Sequence, residues 1–198
     1  MGPKKVGVLA LQGAFIEHVT ALRCFGVEAV LVRLPKQLEG LDGLIIPGGE
    51  STTMTRLMQS YELIDPIKEL AKQGKPIWGT CAGMILMAAK LSGANGQPLG
   101  LMNIQVKRNA FGRQVDSFEV DLPVPVLGKE DFRAIFIRAP LIEKVGSGVE
   151  VLAKLEGVAV AARQKHLLVC AFHPELNNDL RFHDYFIHMI KNNECARQ

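Results

Sequence analysis

Hydrophobic positions in the first half of the chain fall into short blocks of two alternating kinds. Lys5 to Leu11 is an apolar run rich in Val and Leu, and Phe15, Val19 and Leu22 then recur at helical spacing until Gly26 supplies a stop. Val27 to Val32 and Leu44 to Ile46 are apolar without strict alternation, as strands covered on both faces are. After Pro47-Gly48-Gly49 the pattern predicts a helix from Ser51 or Thr52. A second is predicted at Asp65-Pro66, with a cap followed by Pro at the first position and Gly74 as its stop. Ile77 to Gly79 reads as a short strand and Ala82 to Leu91 as a small-residue helix.

From Leu99 the texture changes. Ser117 to Leu122 alternates, and apolar runs follow at Phe132 to Ile137, Val149 to Leu155, Val158 to Ala162 and Leu167 to Phe172, with no helical pattern between them. Glu156-Gly157 and Gln164 to His166 are short enough to be hairpin turns, which adds antiparallel strands beside the parallel ones. A last helix, about Asp179 to Ile190, carries Phe182, Phe186 and Met189 on one face. The expected fold is α/β, a three-layer α/β/α domain with a mixed, mainly parallel central sheet. With 198 residues, no internal repeat and no linker-like stretch, residues 1–198 are expected to form a single domain.

Charge and composition narrow the function classes. The net charge is +3 and no basic run exceeds a pair such as Lys4-Lys5, so a nucleic-acid surface is not expected. Pro76 to Ala89, the longest uncharged stretch, has 14 residues, too few to span a bilayer. No leader pattern or lipidation box is recognisable at the ends, which points to the cytoplasm. There the four cysteines are expected as free thiols. Cys24 and Cys170 read as packing residues, Cys195 as part of a frayed tail, and His18 and His166 as surface residues. His183 and His188 are five apart, which misses the H-E-x-x-H spacing, and there is no Cys-x-x-Cys pair, so no metal site is expected.

Three glycine-rich or short turns at strand ends carry the candidate chemistry, because ligands of such folds bind outside the carboxyl ends of parallel strands. Gly79-Thr80-Cys81-Ala82-Gly83 has the spacing of the nucleophile elbow G-x-S-x-G with Cys in place of Ser. A helix opening at Ala82 sets N–H groups and the positive end of its dipole at the sulfur, which favours the thiolate. Taken alone, Cys81 is equally well read as a small buried hydrophobe. Phe172-His173-Pro174-Glu175 sets a base and a carboxylate two residues apart, so that Glu175 can orient the His173 ring. Pro47-Gly48-Gly49-Glu50-Ser51 opens a helix, and its amides can serve an oxyanion. A phosphate site is the competing reading there, but the Walker and G-x-G-x-x-G patterns are missing.

Together and in this order, these turns resemble the class I glutamine amidotransferases, whose triad runs Cys, His, Glu. Leu9-Ala10-Leu11-Gln12-Gly13, the continuation Thr52-Thr53, and the block Arg108 to Phe118 are similar, more narrowly, to the glutaminase subunits of pyridoxal 5′-phosphate synthase. The resemblance runs from about Val6 to about Ile190. It implies hydrolysis of L-glutamine to glutamate and ammonia through a thioester on Cys81, with His173 and Glu175 completing the triad. It further implies that Gly49, Glu50, Ser51, Arg108, Ile137 and Arg138 contact glutamine, and that Gly49 and Ala82 supply oxyanion donors. Gln12 and the Gly48-Gly49 peptide are the implied points of coupling to a partner. That partner is a (β/α) barrel synthase subunit that consumes the ammonia; pyridoxal phosphate is then the partner's product, and no cofactor is expected here. Without the family blocks, Arg108 and Arg138 would read as ordinary surface charge. Two other readings stand at this point: a glutaminase subunit of another pathway such as histidine biosynthesis, and a catalytically silent module of the same fold.

Overall fold

The computed structural model describes residues 2–93, 98–108 and 117–195. Residues 109–116, most of the Arg108 to Phe118 block, lie outside them. The chain runs β1 (Lys5–Leu9), α1 (Phe15–Arg23), β2 (Glu28–Val32), β3 (Gly43–Ile46), α2 (Ser51–Ser60), α3 (Ile64–Lys72), β4 (Ile77–Thr80), α4 (Ala82–Met87) and β5 (Ala88–Ser92). It continues with β6 (Met102–Lys107), β7 (Ser117–Leu122), β8 (Phe132–Ile137), β9 (Leu141–Val145), β10 (Glu150–Leu155), β11 (Val158–Gln164), β12 (Leu167–Cys170) and α5 (Arg181–Cys195).

The main sheet has the order β2-β1-β3-β4-β12-β11-β9-β6-β5, with β10 also paired to β11. The segment β2-β1-β3-β4-β12 is parallel throughout, β11 is antiparallel to β12, β10 and β9, and β5 is parallel to β6. The expected mixed sheet is therefore present, and its parallel half is built from uninterrupted apolar runs: β3, β4 and β12 are buried at every position. Strands β7 and β8 form a separate antiparallel ribbon. Successive residues of a strand point to opposite faces. On β4, Trp78 and Thr80 meet His18 of α1 and His183 of α5, while a Cβ at Gly79 would touch Gly83 of α4. Helices α1 and α5 thus cover one face of the parallel strands and α4 the other, with α2 against α4.

Several boundaries differ from the sequence expectation. Helix α3 starts at Ile64, so Asp65 lies in its first turn and is not its cap. The expected helix Ala82 to Leu91 stops at Met87, because the backbone N–H groups of Leu99 and Leu101 take the carbonyls of Leu86 and Met87 and the chain leaves as β5. Strands β6 and β9 were not anticipated; they close the sheet beyond β11. Among the described residues no helix is long and apolar enough to cross a membrane.

Candidate active site

The parallel strands β3, β4 and β12 end side by side, and the three singled-out turns leave from their carboxyl ends. Cys81 follows β4 with φ 46° and ψ −104°, the left-handed side that a residue with a Cβ avoids at a cost of about 1–3 kcal/mol. The turn is held by close packing: a Cβ on Gly79 would lie 2.6 Å from the Gly83 carbonyl, and one on Gly83 would collide with the carbonyl of Ile46. Both glycines are thus required for helix α4 to seat against β3 and β4 and present the thiol at the rim. The Cys81 backbone N–H is anchored on the carbonyl of Cys170, which ties the elbow to the end of β12.

His173 leaves β12 three residues after Cys170, and its N–H donates to the Ile135 carbonyl of the β7–β8 ribbon. Its Nδ1 lies 2.7 Å from Glu175 Oε1, and it shares the cleft wall with Cys81, whose Sγ is 3.9 Å from the Ile137 carbonyl. Burial opposes a charge on the ring. The hydrogen bonds to Cys81 and Glu175, with the negative charges of both, outweigh burial and push His173 from 6.5 up to about 10. The surroundings of His173 therefore favour the imidazolium in spite of its burial. Gly48 packs on this ring so closely that a Cβ there would overlap His173 Cε1.

The Pro47 to Ser51 turn is braced from the β1–α1 loop. Gln12 Oε1 accepts the Glu50 N–H at 2.7 Å, and the Ala14 N–H donates to the Gly48 carbonyl at 3.3 Å. In a trans peptide the Gly49 N–H then points away from that loop. The Glu50 carboxylate caps α2, accepting from the N–H groups of Thr52 and Thr53, and these bonds hold it down at about 2. Its side chain is thus taken by the cap. Ala82 opens α4, so its N–H has no partner within the helix.

Gly49, Glu50, Ser51, Cys81, Ala82, Arg108, Ile137, Arg138 and His173 line one cleft of about 270 Å³, together with Ile85, which the sequence reading had not included. Every glutamine-contact position expected from the resemblance is therefore on its wall, and Glu175 stands behind His173. Arg108 Nη1 reaches Thr52 Oγ1 at 3.4 Å, while its Nε is buried without a hydrogen-bond partner among the described residues. Arg138 is exposed, at φ 42°.

Three expectations are corrected. His18 is not on the surface: it is fully buried behind Glu175, with Thr80 and His183 around it. Its position was readable, since Phe15, His18, Val19 and Leu22 share one helical stripe. His166 is half-buried with Nε2 2.9 Å from the Ala71 carbonyl. Cys24 is exposed, not packed, whereas Cys170 is buried as expected; both are free thiols, as is Cys81. Among the described residues no group of three or more His, Cys, Asp or Glu is placed to hold a metal ion.

Known proteins place this architecture. The model of the SNO glutamine amidotransferase family matches residues 8–192. The chain is 60% identical over 190 residues to the "Pyridoxal 5′-phosphate synthase subunit PdxT" of Dehalococcoides mccartyi, covering 94% of this chain and 97% of the relative. It is 56% identical over 186 residues to the protein of the same name from Moorella thermoacetica, covering 94% and 99%. A solved glutamine amidotransferase superposes with a TM-score of 0.89 at 49% identity over 94% of this chain and 98% of the other. With a cysteine elbow, an imidazole and a carboxylate at its strand ends, the chain belongs to the SNO glutamine amidotransferase family.

Proposed function

We propose that the protein is the glutaminase subunit of a pyridoxal 5′-phosphate synthase: it hydrolyses L-glutamine and hands the ammonia to a barrel synthase subunit. The observation that carries the reading is Cys81, held at a strained elbow in one cleft with the His173 ring, whose Nδ1 is taken by Glu175 at 2.7 Å. The Cys81 sulfur attacks the carboxamide carbon as a thiolate, its proton having passed to His173. The N–H groups of Gly49 and Ala82 receive the oxyanion. His173 gives its proton to the departing ammonia, and the neutral ring then takes one from the water that hydrolyses the thioester, so that glutamate is released and sulfur and ring return to the thiolate and protonated forms in which they began the attack. Glu175 orients the ring and balances its charge through both halves.

The α-carboxylate of glutamine is assigned to Arg108, whose buried Nε has a donor to give, while the exposed Arg138 lines the same cleft. Each step is performed by a side chain or amide of this chain, without metal or organic cofactor. Free ammonia protonates in water and ceases to be a nucleophile, so a cytoplasmic partner subunit must receive it directly. Gln12, braced against the Glu50 N–H, and the Gly48-Gly49 peptide are the coupling points. The triad is complete, which speaks against a silent module, and relatives named for pyridoxal phosphate synthesis speak against the histidine pathway. Glutamate release should be strongly stimulated by a pyridoxal 5′-phosphate synthase barrel subunit and absent in Cys81→Ala. Turnover without stimulation would reassign the partner, and no turnover in either condition would leave a silent module.

A further inference from the structure

The carboxylate of Glu175 has two oxygens in different situations. Oε1 is engaged by His173 Nδ1 at 2.7 Å, whereas Oε2 is sealed from water and has no hydrogen bond of good geometry among the described residues. His18 Nε2 stands 3.4 Å from Oε2, with both side chains fully buried. The same nitrogen is 3.3 Å from Thr80 Oγ1, and the other ring nitrogen, Nδ1, is 3.0 Å from His183 Nε2. Both rings sit edge-on to Trp78. The titratable groups around Glu175 are thus His173 after β12, His18 on α1 with His183 of α5 behind it, and the thiols of Cys81 and Cys170.

The tautomers follow from this packing. Burial, and then the nearby His183 and His173, push His18 well below 6.5, and burial brings His183 down to about 4, so both are neutral near pH 7. A neutral imidazole has one N–H and one lone pair. With the proton on Nδ1, the Nε2 lone pair of His18 would face an anion across a dry gap. With the proton on Nε2, it points at Oε2 and Thr80, and Nδ1 accepts from His183 Nε2–H. The lone pair left over is then His183 Nδ1, an imidazole nitrogen buried without a hydrogen-bond partner among the described residues. A solitary lone pair in an apolar pocket costs less than one set against a carboxylate.

We propose that His18 is a positioning residue for the glutaminase reaction: its Nε2–H, kept in that tautomer by His183, fixes the second oxygen of Glu175 and through it the plane of the His173 ring. The inference rests on the triad assigned above. A carboxylate with a single donor in a dry pocket is free to swing or to take the imidazole proton; a second donor prevents both.

The test measures glutamate release by the full chain with a barrel synthase subunit. His18→Leu removes the donor, and His18→Gln puts an amide N–H in place of Nε2–H. The leucine variant should lose about ten- to a hundred-fold in kcat, with the KM for glutamine nearly unchanged because His18 does not line the cleft. The acid limb of its kcat/KM profile should move up by about one pH unit, since a carboxylate with one donor fewer is protonated more readily. His18→Gln should recover most of both. Nitrogen-15 ring shifts of the unmodified protein should show His18 as the Nε2–H tautomer, a readout that needs no variant to fold. An Nδ1–H tautomer, full activity in His18→Leu, or equal losses in both variants with an unmoved acid limb would each overturn the proposal. Wild-type protein without turnover, or turnover surviving Cys81→Ala, would instead bring down the triad on which it rests.

Discussion

Two imidazole environments meet at one carboxylate, and they hold protons in opposite ways. On the cleft side, His173 is buried yet pushed up to about 10, because the Cys81 sulfur and the Glu175 carboxylate both favour its charge. On the sealed side, His18 lies 3.4 Å from the same carboxylate and is nevertheless driven well below 6.5, and His183 falls to about 4. The difference is one of competition. His173 has the Cys81 sulfur and the Glu175 carboxylate to set against desolvation, whereas His18 is wholly enclosed and has two other imidazoles as neighbours. A carboxylate within ion-pair distance therefore does not by itself make a histidine cationic. The arrangement gives one ring that carries charge for chemistry and two that stay neutral as hydrogen-bonding struts.

The comparison breaks most visibly if the shared carboxylate is neutralised. Glu175→Gln should reduce kcat by about a thousand-fold or more, by analogy with the loss of an orienting carboxylate in other triads. The raised pKa of His173 should also fall, read by ring proton titration. Next in size is Gly48→Ala, whose new methyl would overlap His173 Cε1. Tilting the ring by a fraction of an ångström should cost about a hundred-fold in kcat while thermal stability barely moves.

The sealed side is tested by acid. His183 has a folded pKa of about 4 against 6.5 unfolded, so the unfolded chain binds the extra proton first. The contribution is present above about pH 6.5 and is lost as pH falls toward about 4, amounting to on the order of 3 kcal/mol. The raised His173 has the opposite sign: its contribution is intact below 6.5 and disappears as pH rises through about 10. Urea melts at pH 7 and pH 4.5 should show the acid loss, and His183→Phe should flatten it. The smallest effect belongs to the exposed Cys24. Cys24→Ser should leave turnover and stability within about 0.5 kcal/mol of wild type; a larger change would mean that α1 transmits strain to His18.

How much of this was legible beforehand depended on whether the signal was local. The elbow was legible because tight packing leaves room only for hydrogen at Gly79 and Gly83, and the parallel strands because burial on both faces leaves plain apolar runs. Strand β5 was hidden: Ala88-Ala89-Lys90-Leu91 continues a helical pattern, and only the distant Leu99 to Leu101 segment, by taking the last carbonyls of α4, ends the helix. His18 reads as surface from the sequence although it sits on the Phe15, Val19, Leu22 stripe, because a polar residue on an apolar face is explained only by a partner remote in sequence. His183 is that partner, 165 residues away.

Helix α1 is nine residues long, yet the segment that begins it braces the Gly48 carbonyl and one turn later it delivers His18 to Glu175. A designer who grafted only the three strand-end turns onto another parallel sheet would transplant the thiol, the ring and the acid but leave the acid's back against bare hydrocarbon. The smallest portable unit is the three turns together with the first crossover helix, and grafts that omit it should assemble the right residues and turn over poorly.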